Sequence, residues 1–542
     1  MVIKNIFAGL TVGIIALPLS MALSIAIGVP PQNGLYTAII AGIVAAVFGS
    51  SKINISGPTA AFVVILIPIV QEFGLQGLLL CGLMSGVILL LMGLFKLGNL
   101  IELIPYPVTV GFTTGIAVVI ATFQIKDFFG LQIEHFTGHF HEKVYTLFIS
   151  FPTFQINEFV VGATTLFILI LWTKTKSKIP AALIALSVVT FFAFIANAYW
   201  GQNISTIAST FAYEIGAIKG NGIPPIPLQF TLPWAELSLE DINLDLFYKL
   251  LPHSVAIAIL GALESLLCAV ISDGMTGNRT NPNKELIGQG LANIAVPFFG
   301  GIPATAAIAR SVANVKSGGS SKLSSVVHSL FILASIVLFA SYLSYLPMAS
   351  LSALLLMVAW NMSEIKHFKN ILQVAPKHDV YVLLTCFSLT VLLDMQIAVG
   401  VGMGLASILF IKRTIELYSI ELLNTPQRET LHPNVPEDMA IYDINGPMFF
   451  GAAQSALRTL IDSKENIHVV ILNMENVPMI DMTGLVAFKS IVDNFKAKDK
   501  KLIICGLKPR FIQKFKKVGI EFDNINLKQA SNVTSAIDLV TP

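Results

Sequence analysis

The sequence predicts a polytopic α-helical membrane protein that carries a small α/β domain at its C-terminal end. The first observation is composition: 54% of the 542 residues are hydrophobic and only 12% are charged, whereas soluble proteins contain about 25% charged residues. The second is a series of apolar segments before about residue 415, each of roughly 15–25 residues, the length that a helix needs to cross a bilayer. The third is that strand-like and helix-like patterns alternate after about residue 430.

Fourteen apolar segments are predicted to span the membrane. They cover residues 6–27, 33–50, 58–72, 75–94, 106–126, 156–173 and 179–199 in a first set and 249–272, 284–299, 302–314, 323–343, 348–360, 379–394 and 396–413 in a second set. Lysine and arginine concentrate in the loops after even-numbered segments, and such loops are usually cytoplasmic. We therefore expect both termini on the cytoplasmic side of the cell (inner) membrane.

The chain is predicted to divide into three parts. Residues 1–415 form the transmembrane transport domain, residues 416–435 form a polar linker that contains proline, and residues 436–542 form the cytoplasmic α/β domain. In the last part, the strand-like stretches MAIYDING, FF, HVVILNM and KLIICGL alternate with the helix-like stretches GAAQSALRTLID, TGLVAFKSIVDNFKAK and KPRFIQKFKKVG. Alternation of this kind is typical of an α/β fold.

Two short motifs rich in glycine, proline and alanine lie seven segments apart. Residues 56–64 read SGPTAAFVV and residues 301–309 read GIPATAAIA, and each opens a short segment, the third and the tenth. Because seven is odd, two seven-segment halves, about residues 1–200 and 249–415, would cross the membrane in opposite directions. Such interrupted segments at matching places of inverted halves indicate a transporter binding site. A helix that starts inside the membrane directs unpaired amides and the positive end of its dipole at the site, which suits an anion.

Two charged residues away from segment ends are candidates for function. Glu264 lies near the middle of the eighth segment, where an acidic side chain costs about 2.5–3.5 kcal/mol on insertion scales. Because the protonated carboxyl is neutral, we interpret Glu264 as the coupling residue for a proton or a sodium ion, with a structural hydrogen bond between helices as the alternative. Arg310 follows the second motif, and it either supplies positive charge beside the anion or pairs with Glu264 or a lipid phosphate.

Several other classes of function have little support in the residue pattern. The net charge of +2 provides no field that would attract nucleic acid. The four cysteines lie far apart and form no CxxC pair, so neither a disulfide framework nor a zinc site is expected. No nucleophile–base pair, metal cluster or phosphate loop stands out, so we expect neither an enzyme nor a cofactor other than the coupling ion.

Several stretches, in order along the chain, resemble the SulP (sulfate permease) family of anion transporters. They are GLTVGIIALPLSMALSIAIGVPPQNGLYTAIIAG, ISGPTAA, GALESLL, DGMTG, NKELIGQGLANI and FFGGIPATAAIARSVANVKSGG in the membrane domain, and VPMIDMTGL, which resembles a turn of STAS domains, in the C-terminal domain. The resemblance covers essentially the whole chain. It implies an inverted repeat of seven plus seven segments, core and gate domains, an elevator-like movement and a homodimer.

The resemblance also implies a set of site residues. The substrate would lie between the third and tenth half-helices, beside the first and eighth segments, near Pro18, Leu19, Leu23, Thr59, Ala60, Thr305, Ala307 and Arg310, with Glu264 as the ion-coupling residue. Leu19 stands where many sulfate carriers have glutamine, which is similar to bacterial members that handle bicarbonate or C4-dicarboxylates. Sodium-dependent bicarbonate carriers have aspartate in place of Glu264, so similarity to proton-coupled members is greater.

The STAS-like turn contains one candidate regulatory residue. Thr483 aligns with a serine that is phosphorylated in soluble STAS proteins, whereas Met482 replaces the usual first hydroxyl residue. An ordinary helix N-terminal residue is the alternative interpretation of Thr483. The domain could also bind a cytoplasmic partner.

We therefore expect a secondary active transporter that moves a small anion (sulfate, bicarbonate or a C4-dicarboxylate) across the lipid bilayer with a proton. Sodium-coupled bicarbonate symport and uncoupled anion exchange or channel activity are the alternatives. A nucleobase symporter would share the seven-plus-seven fold, but the STAS domain and Arg310 disfavour it.

Overall fold

The computed structural model describes most of the chain. The described residues are 1–99, 105–133, 138–175, 177, 179–215, 218–226, 228–235, 237, 243–393, 395–416, 419–422, 438–448, 467–523 and 525–540. They form two compact units, Met1–Gly404 and Leu405–Pro542.

The first unit is helical. Its helices are α1 (Val2–Ala26), α2 (Pro31–Phe48), α3 (Ala60–Leu94), α4 (Tyr106–Phe128), α5 (Phe140–Ser150), α6 (Ile156–Thr173), α7 (Ala181–Trp200), α8 (Ile207–Thr210), α9 (Leu244–Thr276), α10 (Pro282–Ala295), α11 (Ile308–Lys316), α12 (Leu323–Leu343), α13 (Met348–Met362), α14 (Ile365–Val374) and α15 (Lys377–Leu392), followed by α16 (Met395–Glu416), which continues into the second unit. Four short strands accompany them: β1 (Ser56–Gly57), β2 (Ala212–Ile215), β3 (Ile218–Asn221) and β4 (Thr305–Ala306).

Among the described residues, nine helical stretches are long and apolar enough to cross a membrane. They are Val2–Ala26, Pro31–Phe48, Ala60–Leu94, Tyr106–Phe128, Ile156–Thr173, Ala181–Trp200, Leu244–Thr276, Leu323–Leu343 and Met348–Val374. This confirms a polytopic helical membrane protein. The count differs from fourteen partly because the third and fourth predicted segments share one helix, while the ninth and tenth are short.

The helix α3 is broken at Gly74. This residue has a φ of 66° and a ψ of −167°, a backbone conformation that only glycine adopts without strain. The break separates a half-helix of residues 60–73 from a second helix of residues 75–94. The sequence predicted this division, with segments at 58–72 and 75–94.

The helices of the first unit pack in two groups. The first group contains α1, α2, α3, α9, α10, α11 and α12, and the second contains α4, α6, α7, α13, α14 and α15. Small residues let helices of the first group approach closely: a Cβ on Gly288 of α10 would lie 2.4 Å from the Gly49 Cα atom, just after α2. No side chain fits there, so α10 packs directly on the end of α2.

A buried carboxylate holds the turn after α2. Glu285 of α10 is 2% exposed. One of its oxygens accepts hydrogen bonds of 2.8 Å from the amides of Ser50 and Ser51, and the other accepts one of 3.0 Å from the Asn54 side chain. The turn leads directly into β1, so Glu285 places the start of the first half-helix.

We expect Glu285→Ala to destabilise the first unit by about 3 kcal/mol or more, because it leaves buried amide donors without an acceptor. The measurement is the melting temperature of the purified protein in detergent, which should fall by several degrees. Glu72→Ala is the matched control, since Glu72 is an exposed acid of the same unit. Equal melting temperatures for the two variants would contradict this role of Glu285.

The second unit contains a five-stranded sheet. Its strands are β5 (Ser419–Leu422), β6 (Met439–Asn445), β7 (Val469–Asn473), β8 (Lys501–Cys505) and β9 (Leu527–Ala530), in that spatial order, and its helices are α17 (Met482–Ala497), α18 (Pro509–Lys517) and α19 (Val533–Asp538). Strand β5 pairs antiparallel with β6, and the other neighbours are parallel. Apolar clusters cover both faces, one beneath α17 and α18 and the other beneath α19.

Most predicted elements of this domain match the structure. Three of the four predicted strand-like stretches correspond to β6, β7 and β8, and two predicted helices correspond to α17 and α18; the fourth stretch, FF at residues 449–450, lies outside the described residues. The predicted helix GAAQSALRTLID and most of the linker 416–435 lie outside the described residues. Asp481 caps α17 by accepting a 2.7 Å hydrogen bond from the Gly484 amide. Thr483 is therefore the second residue of the helix and is exposed, and its phosphorylation stays a prediction.

Candidate functional site

Two helices of the first unit begin next to a pair of short strands. Strand β1 immediately precedes the half-helix of α3, and strand β4 precedes α11. The two strands pair antiparallel, Ser56 opposite Ala306 and Gly57 opposite Thr305. The sequence placed two motifs at these positions, and the structure brings them into direct contact although Gly57 and Thr305 are 248 positions apart in the chain.

Hydrogen bonds of neighbouring residues hold the β1–β4 pair in place. The Ser311 hydroxyl accepts a 2.9 Å hydrogen bond from the Ile55 amide, and the Ala307 amide donates to the Ile55 carbonyl at 2.9 Å. Gln289 of α10 donates to the Ser56 hydroxyl at 2.7 Å. Because these groups are buried and bonded, the two helix starts are fixed relative to each other.

The tenth predicted segment begins later than the sequence indicated. The prediction placed a helix over 302–314, whereas α11 covers Ile308–Lys316. The Asn293 side chain accepts a 2.8 Å hydrogen bond from the Ala304 amide and donates one of 2.8 Å to the Ala304 carbonyl, and the Ser265 hydroxyl accepts one of 3.2 Å from the Ala306 amide. These hydrogen bonds occupy backbone groups that a helix starting earlier would need for its own hydrogen bonds. The chain therefore stays extended up to residue 307.

A cavity of about 290 Å³ lies at the two helix starts. It is lined by Leu19, Leu23, Pro58, Thr59, Ala60, Ala61, Thr113, Glu264, Ala307, Ile308, Ala309, Arg310, Val358, Asn361, Met362 and Glu364. The first helix group supplies the residues of α1, α3, α9 and α11, and the second group supplies those of α4 and α13. The cavity therefore lies at the boundary between the two groups. The first amides of each helix have no partner within that helix, and two helix starts meet at this cavity.

Arg310 is the cation of this site. Its side chain is 2% exposed, and one terminal nitrogen donates to the Pro58 carbonyl. The guanidinium Nε and Nη1 atoms find no hydrogen-bond partner among the described residues. A buried guanidinium with unused donors is costly, and an anion in the adjacent cavity would stabilise it.

Glu264 contacts the start of the half-helix. The Thr59 hydroxyl donates a 3.0 Å hydrogen bond to Glu264 Oε2. Thr59 is the N-terminal cap residue of α3, yet its side chain makes no capping bond. The Thr59 hydroxyl therefore donates to Glu264 and does not cap α3. This leaves the first amides of α3 available to an anion in the cavity.

The structure brings together most of the predicted site residues. Those that line the cavity are Leu19, Leu23, Thr59, Ala60, Ala307 and Arg310, together with Glu264. Pro18 does not line this cavity; it faces a different, apolar cavity between α1, α7 and α12, because neighbouring helical residues point in different directions. Thr305 does not line it either: it is fully buried and bonded to Ser265 and Gly261, so its role is to hold β4.

Sequence reasoning missed the residues of the second helix group. Thr113 comes from α4, Asn361 and Met362 from the end of α13, and Glu364 from the turn before α14. Glu364 has a φ of 41°, a left-handed conformation that is uncommon for a residue other than glycine. The sequence did not identify Glu364 as a site residue, because it resembles an ordinary acidic residue of a loop.

We expect Gly57→Ala to lower anion affinity without unfolding the protein. A Cβ at this position would lie 2.7 Å from Arg310 Nη1, and the flexible guanidinium would move away from the cavity. A displacement of this kind should raise the KM for anion uptake by about tenfold. Gly274→Ala is the matched control, because a Cβ there meets nothing within 4 Å; a KM that changes equally in both variants would contradict the prediction.

The fold defines a polytopic membrane transporter with an accessory domain, because it combines apolar helices, a cavity at two helix starts and a C-terminal α/β sheet. The model of the Sulfate permease family matches residues 2–386, and the model of the STAS domain matches residues 431–536. The first match covers more than half of the chain. The chain therefore belongs to the Sulfate permease family of anion transporters and carries a STAS domain.

Two bacterial relatives align over nearly the whole chain. It is 39% identical over 518 residues to YvdB of Bacillus subtilis, a candidate sulfate transporter, covering 95% of this chain and 94% of that protein. It is 28% identical over 528 residues to the bicarbonate transporter BicA of a Picosynechococcus strain, covering 93% of this chain and 88% of that protein. The family thus includes relatives named for two different anions.

Solved structures show the same fold. The murine Slc26a9 anion transporter has a TM-score of 0.84 at 17% identity, covering 99% of this chain and 91% of that chain. The transmembrane domain of a cyanobacterial bicarbonate transporter BicA has a TM-score of 0.62 at 25% identity, covering 74% of this chain and 97% of that chain. The Slc26a9 likeness is a likeness of fold alone.

Proposed function

We propose that this protein is a secondary active transporter that moves a small anion together with a proton. The observation that carries the proposal is the cavity in which two helix starts, Arg310 and the Glu264–Thr59 pair meet. Each component has a separate task. The helix starts and Arg310 would bind the anion, and Glu264 would bind the proton.

The anion is recognised mainly by backbone. The starts of α3 and α11 present unpaired amides and the positive ends of two helix dipoles. Arg310 adds a full positive charge and two guanidinium nitrogens that have no other partner in the described part of the chain. Amides and guanidinium bind any small oxyanion through its oxygens, so this site selects for charge and size more than for identity.

The cavity has room for each of the candidate substrates. Its volume of about 290 Å³ admits sulfate, bicarbonate or a C4-dicarboxylate. BicA of Picosynechococcus is named as a bicarbonate transporter, and a chloroplast relative from Arabidopsis thaliana, 27% identical, is named as a sulfate transporter. Leu19, which lines the cavity, replaces the glutamine of many sulfate carriers and favours bicarbonate or dicarboxylate.

The charges around the cavity support proton coupling. Arg310 contributes one positive charge, and Glu264 and Glu364 contribute two acidic groups. An anion that enters beside an ionised Glu264 meets a like charge in a medium where charges are weakly screened. Protonation of Glu264 removes that repulsion, so proton binding and anion binding favour each other. Mutual stabilisation of this kind is what a symporter requires.

Sodium is the second candidate for the coupling ion. Glu264 Oε2 and Thr59 Oγ1 lie 3.0 Å apart and form a pair of oxygen ligands that would suit sodium as well as a proton. If neither ion is coupled, the same site would support uncoupled exchange or channel activity. The experiment below separates these cases.

We further propose how the two helix groups move. The anion would travel with the first group, which carries both helix starts, while the second group stays fixed in an elevator-type mechanism. The antiparallel pairing of β1 with β4 is what two inverted halves of seven segments each would produce. In the same account the protein is a homodimer in the cell (inner) membrane with both termini in the cytoplasm, where the STAS domain could bind a partner.

Uptake into proteoliposomes tests the proposed function. Radiolabelled sulfate, bicarbonate and fumarate are each offered under an inward proton gradient, an inward sodium gradient or no gradient. Accumulation of one anion above equilibrium under the proton gradient supports proton symport, and accumulation only under the sodium gradient supports the second candidate. Equal, non-accumulating uptake under all three conditions would contradict coupled transport.

A further inference from the structure

A second cavity, larger than the substrate cavity, lies between α1, α7 and α12. Its volume is about 720 Å³, and each described side chain that lines it is uncharged. Most of the lining is aliphatic or phenylalanine, and the polar part consists of the hydroxyls of Ser187, Thr190 and two tyrosines. Apolar cavities exclude water and accept apolar molecules. The chemistry of the lining therefore calls for an apolar occupant.

The cavity is an elongated slot. The residues of α7 that line it recur at every fourth position from Ala182 to Phe194, and on α12 the lining extends over the same number of residues, from Phe331 to Leu343. A helix rises 1.5 Å per residue, so both intervals correspond to about 18 Å. The hydrocarbon core of a bilayer is roughly 30 Å thick. The slot is thus about as long as the acyl chains of one leaflet.

The slot opens sideways towards the bilayer. The three helices that form it are all long and apolar enough to span a membrane. Phe191 and Tyr342 of the lining are exposed, whereas Leu186 and Leu346 are buried. The slot therefore has an outer edge at the surface of the membrane domain and a floor inside the protein, and the medium at the outer edge is lipid.

Tyrosines mark one end of the slot. Tyr342 lies near the end of α12 and Tyr345 follows that helix, and the Tyr345 ring contacts the Phe194 ring edge to face at a centroid distance of 5.2 Å. Tyrosine is enriched at the membrane–water interface, where its ring lies at the level of the lipid headgroups. This end of the slot is therefore the end that suits a headgroup.

We propose that the slot binds one acyl chain of a membrane lipid, with the headgroup beside Tyr342 and Tyr345 and the chain extending along α7 towards Ala182. Helices α1 and α12 belong to the first helix group and α7 to the second, so the chain fills a gap between the two groups. Pro18 lines the slot and Leu19 lines the substrate cavity, so α1 forms a wall of both. The inference does not rest on the proposed function, because neither the anion nor the proton enters the slot.

Photolabelling of the full-length protein in phosphatidylglycerol nanodiscs tests the proposal. Two phosphatidylglycerol probes are used, one with a diazirine near the end of an acyl chain and one with a diazirine close to the glycerol ester, and labelled residues are identified by mass spectrometry. We expect the first probe to label Ala182 and Leu186 and the second to label Leu346. These three residues are buried and line the slot, so lipid outside the slot does not reach them. Phe192 of α7 is exposed and does not line the slot, and it measures labelling by the surrounding bilayer.

Ser187→Phe is the variant that fills the slot, because Ser187 lines it. We expect labelling of Leu186, relative to Phe192, to fall about tenfold or more, since the phenyl ring takes the place of several methylene groups of the chain. Val188→Phe is the matched control. It adds the same ring to the same helix at an exposed position that does not line the slot, and it should leave the labelling of Leu186 unchanged.

Labelling of Phe192 without labelling of Ala182, Leu186 or Leu346 would overturn the proposal, and this is the result expected if a helix of a second copy fills the slot. Label on Leu346 from the chain-end probe and on Leu186 from the ester probe would overturn the proposed orientation. Equal labelling of Leu186 in both phenylalanine variants would also contradict the site. The pattern in the unmodified protein decides the matter even if Ser187→Phe does not fold. Labelling measures no transport, so the failure of this inference and the failure of proton-coupled uptake are separate results.

Discussion

Arg310→Gln is expected to lower anion affinity by about 10- to 150-fold, the range that corresponds to one hydrogen bond to a charged group. Glutamine keeps a donor for the Pro58 carbonyl, which Arg310 contacts, so the loop before α3 should stay in place. The positive charge is lost, and only the helix starts remain to bind the anion. The measurement is binding of the transported anion to the purified protein, detected as a shift of the melting temperature.

Lys316→Gln is the matched control for Arg310→Gln. Lys316 ends the same helix, α11, and its side chain is exposed, so its charge is screened by solvent. Both variants lose one positive charge from one helix, and we expect only the Arg310 variant to lose affinity. An Arg310→Gln protein that binds the anion as tightly as the Lys316→Gln protein would remove Arg310 from the site.

Glu264→Gln is expected to abolish accumulation of the anion under a proton gradient while anion binding persists. The amide has the same shape as the acid, and its oxygen still accepts the hydrogen bond from the Thr59 hydroxyl. It cannot gain or lose a proton, so the variant should equilibrate the anion without concentrating it. Anion binding should be unchanged or tighter, since the like charge beside the anion is absent.

The control for the coupling variant is Glu72→Gln at the far end of the half-helix. Glu72 is exposed and lines another cavity, so its neutralisation should leave gradient-driven accumulation intact. Accumulation by Glu264→Gln at the wild-type level would remove Glu264 from the coupling mechanism. If the wild-type protein accumulates the anion only under a sodium gradient, and Glu264→Gln loses that accumulation, sodium is the coupling ion.

The sequence predicts the centre of the site because backbone requirements leave clear signals there. Glycine, proline and alanine precede both short helices, and the structure pairs Gly57 with Thr305 in β1 and β4. Glu264 and Arg310 are conspicuous because charges inside apolar segments are rare. These signals are local, and both motifs are recognisable without knowing the fold.

Other features of the site depend on contacts that the sequence does not display. The start of α11 shifts to Ile308 because Asn293 and Ser265 bind the preceding backbone. Pro18 faces away from the cavity although Leu19, its neighbour, lines it. The direction in which a residue of an almost wholly apolar helix points follows from packing, and α1 is apolar on all sides, so its pattern did not separate the two residues.

The second helix group shows the same limit. Thr113 and Glu364 join the site only because α4 and α13 pack together against α1 and α3. The apolar sequence of a segment indicates that the segment crosses the membrane, but it does not indicate which helices pack against it. By contrast, strands β6, β7 and β8 of the STAS domain were predictable, because short apolar strands between polar helices have their own pattern.

The most direct test of the account is a structure determined with the transported anion bound. Our account requires the anion to lie between the two helix starts, within hydrogen-bond distance of the amides of α3 near Ala60 and of α11 near Ile308, with the Arg310 guanidinium in contact. Density for the anion at one helix start only, or in a different cavity with both helix starts unoccupied, would contradict it.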